Sequence, residues 1–252
     1  MDDKEIKLPA ELRPYLGSAA LENVSGHSMA STFKAGTGYY IKTDEAGSLA
    51  REYELAQLFH RLGLGPEAPE YLSADRDWLV TRKAVGEDLT RCLNDPGKLC
   101  EILAGALKKL HSLPAEGLPV SSRYERFMES SDGSPEGGSW DGSVLTDRWP
   151  IGSKQEAWEI MQKNRHLLKC DTFIHGDACL PNILQKNGAF SSFIDTAMAG
   201  AGDRHIDLYW AVWSLNYNLK TDTYTDLFLD LYGREHFSEE AMRTVAAFEV
   251  FG

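Results

Sequence analysis

The feature that most narrows the fold is a change of pattern near Val85. Upstream of it the chain reads as strands: VSGHSMASTFKA and TGYYIKT form a glycine-containing hairpin region, and DWLVTRK reads as a further strand leaving through AVGEDL. Between them lies a helix from about Ser48 to Leu62, stopped by Gly63, Gly65 and Pro66. Downstream the pattern turns helical. Leu99, Ile102, Leu103, Ala106, Leu107 and Leu110 recur at three- and four-residue intervals, the signature of one apolar helical face. The expected architecture is therefore α+β, with a small sheet-based lobe at 1–84 carrying one main helix and a mostly helical lobe at 85–252.

Three closing helices are expected over Arg204–Leu219, Thr221–Tyr232 and Ser238–Phe251, with Gly233 and the Ser238 cap separating the last two. TFIHGD and FSSFID are short apolar runs, each ending on an aspartate. The stretch from about 129 to 147, ESSDGSPEGGSWDGSVLTD, is loop chemistry with little to bury; it reads equally as a lid or substrate loop and as a tolerated surface insertion.

Composition excludes several classes. In the 252 residues, acidic side chains exceed basic ones to give a net charge of −12, which repels nucleic-acid phosphates and draws cations; the same charge also simply keeps a protein soluble. No apolar run approaches the roughly 20 residues of a membrane span, and MDDKEIKLPA lacks the pattern of a secretory signal, so a cytoplasmic location is expected. Cys92, Cys100, Cys170 and Cys179 show no C-x-x-C pairing and read as reduced thiols.

The chemistry concentrates in His175-Gly176-Asp177-Ala178-Cys179-Leu180-Pro181-Asn182, with Asp195 following at the end of FID. An aspartate five residues before an asparagine, then a later aspartate, is the order of a kinase catalytic loop and its metal ligand. One carboxylate orients or accepts the proton of an attacking hydroxyl, while an amide oxygen and a second carboxylate hold Mg²⁺ against phosphates. Lys42 closes the strand TGYYIK, where a cation meets phosphate oxygens. Glu52 shares a helical stripe with Leu55, Ala56 and Phe59, faces inward, and so needs a charged partner that Lys42 supplies. Ser25–Ser31, including Gly26 and Ser28, could turn backbone N–H groups toward phosphate, although it fits neither common glycine-rich phosphate pattern. A competing reading takes His175, His205, His111 and His166 with Asp177 and Asp207 as a hydrolase metal site, but the histidines lack ligand spacing. Trp210, Trp213 and Tyr217 fall at helical intervals; Trp210 is expected in the core, and Trp213 is open.

HGDACLPNI, FIDTAMAGAGDRHIDL and YYIK…REYELAQLF together resemble the aminoglycoside phosphotransferases, most closely the 3′-phosphotransferase or kanamycin-kinase type, over almost the whole chain. The resemblance implies a two-lobed protein-kinase-like fold using ATP, with GTP an open alternative, and Mg²⁺. It implies Asp177 as the catalytic aspartate, Asn182 and Asp195 as magnesium ligands, and Lys42 with Glu52 as the phosphate-binding pair. It further implies that Tyr40 stacks on adenine, that Arg82 and Ala84 give adenine its backbone hydrogen bonds, and that Asp203 and Asp207 buttress the catalytic loop. A small cationic substrate bound by carboxylates is implied, with Glu249 in FEVFG as the terminal acid and Asp132, Glu136, Asp141 and Asp147 as mid-chain candidates, each more readily read as a solvated loop charge. A monomer is favoured. The chain departs from the family pattern in carrying one terminal acid rather than two and Met198 where many members place an arginine, which leaves the drug and its hydroxyl open; another hydroxylated amine, such as choline or an amino sugar, is the alternative substrate.

Overall fold

The computed structural model describes residues 8–17, 21–25, 30–134 and 139–251. The chain divides into two compact units, Met1–Ala84 and Val85–Gly252.

In the first unit a 3-10 turn, Ala10–Leu12, runs into the short helix α1 (Arg13–Leu16). Strands β1 (Glu22–Asn23), β2 (Ser31–Ala35), β3 (Tyr39–Glu45), β4 (Glu70–Ser73) and β5 (Arg76–Arg82) form one antiparallel sheet in the order β1-β2-β3-β5-β4, and helix α2 (Ala50–Arg61) joins β3 to β4. Alternation along β3 decides what each face meets. Ile41 and Thr43 are buried on one face, whereas Tyr40 and Lys42 point to the other. Ile41 packs with Leu12, Trp78 and Val80, so the N-terminal segment covers that side. Leu79, directly opposite Lys42 in the β3–β5 ladder, packs with Leu49 and Ala56. Lys42 therefore faces α2, whose buried stripe is Glu52, Leu55, Ala56 and Phe59.

The second unit contains β6 (Glu87–Asp88), α3 (Pro96–His111), α4 (Ser122–Ser131), α5 (Lys154–Asn164), β7 (Thr172–Ile174), β8 (Ile183–Lys186), β9 (Ala189–Phe193), β10 (Gly200–Gly202), α6 (Arg204–Leu219), α7 (Thr225–Tyr232) and α8 (Glu239–Glu249). Asp95 starts α3 by accepting from the Lys98 N–H at 3.1 Å, with Pro96 preset in the first turn. Its face of Leu99, Ile102, Leu103, Ala106, Leu107 and Leu110 is buried throughout, so truncating Leu103 to alanine costs about 2–5 kcal/mol. The short strands form two small sheets, β6-β8-β9 and β10-β7, which carry the loops described below.

Two expected boundaries move. The α4 helix runs through Ser131, so the first residues of the expected 129–147 loop are helical, with Phe127 and Ser131 buried along its last turns. α7 begins only at Thr225, because Thr221 and Thr223 bond each other instead of continuing a helix. Among the described residues no helix is long and apolar enough to cross a membrane.

Candidate active site

In the first unit the Lys42 Nζ donates to both carboxylate oxygens of Glu52, at 3.0 and 2.8 Å. The two side chains are largely enclosed, 18 and 10 % exposed. Such a pair fixes the ammonium in space, because removing one partner strands a charge out of water. Tyr40 lies half-buried on the same face as Lys42. The Arg82 backbone N–H donates to the Glu67 carbonyl at 2.7 Å, so of its two backbone groups the carbonyl is the one that could meet adenine. The Arg82 guanidinium is tied to Glu67 at 3.0 Å and to the Tyr39 hydroxyl at 3.1 Å. Ala84 follows β5 at the end of the unit. Gly26, Ser28 and Glu136 lie outside the described residues.

In the second unit the loop after β7 carries His175, Gly176 and Asp177. Gly176 has φ +80°, and a Cβ there would stand 2.4 Å from the Met198 carbonyl oxygen, so only glycine fits. The buried Asp207 carboxylate grips this turn, accepting the N–H groups of His175 and Gly176 at 2.7 Å each and meeting His111 Nε2 at 3.0 Å. Burial raises the Asp207 pKa, but the His111 contact, His175 and the backbone donors outweigh it and hold the carboxyl below its ordinary range. Asp203 does something else. It accepts the His205 N–H at 2.8 Å, capping α6, and the Lys169 N–H at 2.6 Å ahead of β7, so it braces the strand entry rather than the catalytic loop itself.

Past the turn, Leu180 donates to Ser214 Oγ at 3.0 Å and the chain makes one 3-10 turn to Asn182. The Asn182 amide nitrogen donates to the Asp177 carboxylate Oδ2 at 2.8 Å and to its carbonyl at 3.0 Å. That leaves the amide oxygen of Asn182 as its acceptor atom. The hairpin of β8 and β9 then brings Asp195 alongside, because Ile183 pairs with Phe193 and the Ile194 N–H donates to the Asn182 carbonyl at 3.0 Å. Asp195 holds a left-handed backbone, φ 56°, a conformation uncommon outside glycine and frequent at functional sites. An amide oxygen and a carboxylate are hard donors of the kind Mg²⁺ takes.

The Asp177 side chain is 28 % exposed. Beside it, burial pushes the Cys179 thiol well above its ordinary pKa, and the neighbouring Asp177 carboxylate adds to the rise.

The expected substrate acids are not equivalent. Asp141 is exposed and accepts from the Ser143 N–H at 2.9 Å, and Asp147 is exposed as well. Glu249 is 4 % exposed, and its carboxylate is taken by Arg123 Nη1 at 2.9 Å, Trp210 Nε1 at 2.6 Å and Arg126 at 3.3 Å. The expected terminal substrate acid thus has both oxygens engaged by protein donors. Trp210 is likewise not a plain core residue: half-buried, it takes the Arg123 guanidinium over its ring at 4.5 Å. Trp213 and Tyr217 stack face to face at 5.1 Å, and Tyr217 is 59 % exposed.

Arg123 was not singled out by the sequence reading. Its signal was an arginine one helical turn before Phe127 and two turns before Ser131, on the stripe that α4 buries. The histidines invoked for a metal hydrolase are dispersed into structural bonds, His175 to the Ile194 carbonyl and His205 to Asp203, and among the described residues no group of three His, Cys, Asp or Glu side chains could hold a metal. That reading is set aside.

Residues 22–248 match the model of the Phosphotransferase enzyme family. A Lactococcus lactis protein named a probable aminoglycoside 3′-phosphotransferase is 38% identical over 220 residues, covering 85% of this chain and 83% of that one. Among solved structures, an aminoglycoside 3′-phosphotransferase of type VIII superposes with a TM-score of 0.70 at 20% identity, over 96% of this chain and 97% of the other. The phosphotransferase APH(3″)-Id of Streptomyces rimosus, solved with ADP and streptomycin, gives 0.67 at 19% identity over 94% and 95%. These last two establish a shared kinase-like α+β fold, and with the family model and the Lactococcus relative spanning most of its length, the chain belongs to the aminoglycoside phosphotransferase family.

Proposed function

We propose that this phosphotransferase moves the γ-phosphoryl group of ATP to the 3′-hydroxyl of an aminoglycoside, and so confers resistance to it. The observation that carries the reading is the Asp177 carboxylate, held at Oδ2 by Asn182 with Asp195 folded alongside, in a chain whose family performs phosphoryl transfer. Asp177 orients the substrate hydroxyl and receives its proton as the new P–O bond forms and the bond to the nucleotide diphosphate breaks. Lys42, held by Glu52, binds phosphate oxygens, and Tyr40 with the Ala84 backbone receives adenine. Asn182 and Asp195 would hold Mg²⁺, which would neutralise phosphate charge. Asp141 and Asp147 meet substrate amines at the surface, drawn in by the net charge of −12. The protein acts as a cytoplasmic monomer on a small cationic substrate.

A second reading, a kinase for another hydroxylated amine, is favoured by one observation. The Trp213–Tyr217 stack carries the Lys220 ammonium 4.0 Å over the Tyr217 ring, a place that an organic cation such as choline would take by displacing the lysine.

The test is turnover by the purified protein with Mg²⁺ and ATP or GTP, across kanamycin, neomycin, a 3′-deoxy aminoglycoside and choline. Turnover of the first two and not the third supports the 3′ assignment; turnover of choline alone moves the substrate to the second reading. Asp177→Ala abolishes transfer while sparing nucleotide binding, and full activity in that variant refutes Asp177 as the base.

A further inference from the structure

Arg123 reaches the loop of Asp177 from α4, and its surroundings are unusual for a structural arginine. The residue is 7 % exposed, so the guanidinium has lost most of its water and needs strong acceptors in return. Nη1 has one, the Glu249 carboxylate at 2.9 Å. Among the described residues Nε and Nη2 hydrogen-bond only the Met198 sulfur, at 3.4 and 3.2 Å, and a thioether is a weak acceptor. The remaining strong acceptor is the Asp177 carboxylate, whose Oδ1 stands 4.0 Å from Nη2, inside ion-pair range and just beyond hydrogen-bond contact.

Glu249 does not need Arg123 for its own satisfaction. It receives the Trp210 indole N–H at 2.6 Å on Oε1 and Arg126 at 3.3 Å on Oε2. The Trp210 ring, 4.5 Å beneath the guanidinium, and Glu249 together fix its plane, and the fixed plane presents Nη2 to Asp177. Asn182 holds the other oxygen, Oδ2, at 2.8 Å.

We propose that Arg123 is the positioning residue for the catalytic aspartate: anchored by Glu249 and Trp210, it fixes Asp177 at Oδ1 while Asn182 fixes it at Oδ2. At 4.0 Å the guanidinium acts on Oδ1 through its charge and takes neither lone pair, so Oδ1 stays available to the substrate hydroxyl. The inference rests on Asp177 being the base. It assigns Glu249 to this clamp, and it gives α4 a part in the reaction.

The experiment measures kcat, KM for ATP and for kanamycin, and thermal midpoints for Arg123→Ala, Arg123→Lys, Arg126→Ala and Asp177→Asn. Arg123→Ala is expected to lose about a hundredfold in kcat, the scale of a misplaced reactive group, with KM for ATP within about twofold. Millimolar guanidinium chloride, but not sodium chloride, restores at least about a tenth of the lost rate by filling the vacated space. Arg126→Ala, which removes a Glu249 contact without approaching Asp177, lowers the midpoint and leaves kcat within about threefold. A folded Arg123→Ala with kcat within about threefold of the parent, or a loss that guanidinium does not relieve, overturns the proposal. Should the alanine variant not fold, Arg123→Lys decides: lysine cannot bond Glu249 and face Asp177 in one fork, so a wild-type kcat there overturns it too. An active Asp177→Asn would instead refute the base assignment, whereas an inactive Asp177→Asn beside a normal Arg123→Ala refutes only the clamp.

Discussion

Replacing Asp207 by asparagine keeps the shape of a fully buried side chain and removes its charge. The carboxylate accepts three contacts: the His175 N–H and His111 Nε2 on Oδ2, and the Gly176 N–H on Oδ1. An amide has a single acceptor oxygen. If that oxygen takes the Oδ2 place, its NH₂ group faces the Gly176 N–H; flipped, it faces the His175 N–H. Either way one buried backbone donor is orphaned. The loss of a hydrogen bond to a charged acceptor, about 1.5–3 kcal/mol, adds to an unsatisfied buried donor, about 1–3 kcal/mol; the sum spans about 2.5–6 kcal/mol, with about 3–5 kcal/mol as its centre. At about 2–4 °C per kcal/mol for a chain of this size, the thermal midpoint falls by about 6–20 °C. The turn carrying Asp177 loosens as well, and kcat drops by about a hundredfold. The pH dependence has a definite sign. A carboxyl whose folded pKa is depressed stabilises fully above its unfolded value, near 3.9, and loses that contribution as pH falls through the folded pKa. The stability gap between wild type and Asp207→Asn is therefore flat above about pH 5 and closes in acid. Thermal or urea unfolding from pH 7 down to pH 3 measures it. A gap below about 1 kcal/mol at pH 7, or one that widens in acid, refutes the reasoning.

Two further outcomes are expected. Gly176→Ala places a Cβ 2.4 Å from the Met198 carbonyl at φ +80°, so it lowers stability by about 2–4 kcal/mol and depresses kcat, and a melt within 1 °C of wild type would contradict it. Glu52→Gln leaves Lys42 without its charged anchor, raising KM for ATP by about tenfold while the KM for the hydroxyl substrate holds; steady-state kinetics with each substrate varied in turn separates the two.

The parts of the site written in one stretch of chain were legible before any coordinates. The α2 stripe is one: Glu52 repeats with Leu55, Ala56 and Phe59 at helical spacing, and alternation along β3 turns Lys42 toward it. The turn His175-Gly176-Asp177 and the later Asn182 and Asp195 are another, because a short loop and a tight hairpin leave few ways to arrange them. Periodicity states which face a side chain occupies. It does not name the neighbour across that face. Only the tertiary structure could put Arg123 against Met198 and Glu249, 75 and 126 positions away along the chain, and spend the Glu249 carboxylate inside the protein. The same holds for the Arg82 N–H, whose partner, the Glu67 carbonyl, only the fold supplies. Desolvation compels a buried charge to find a partner, but which partner it finds is settled by how the helices pack.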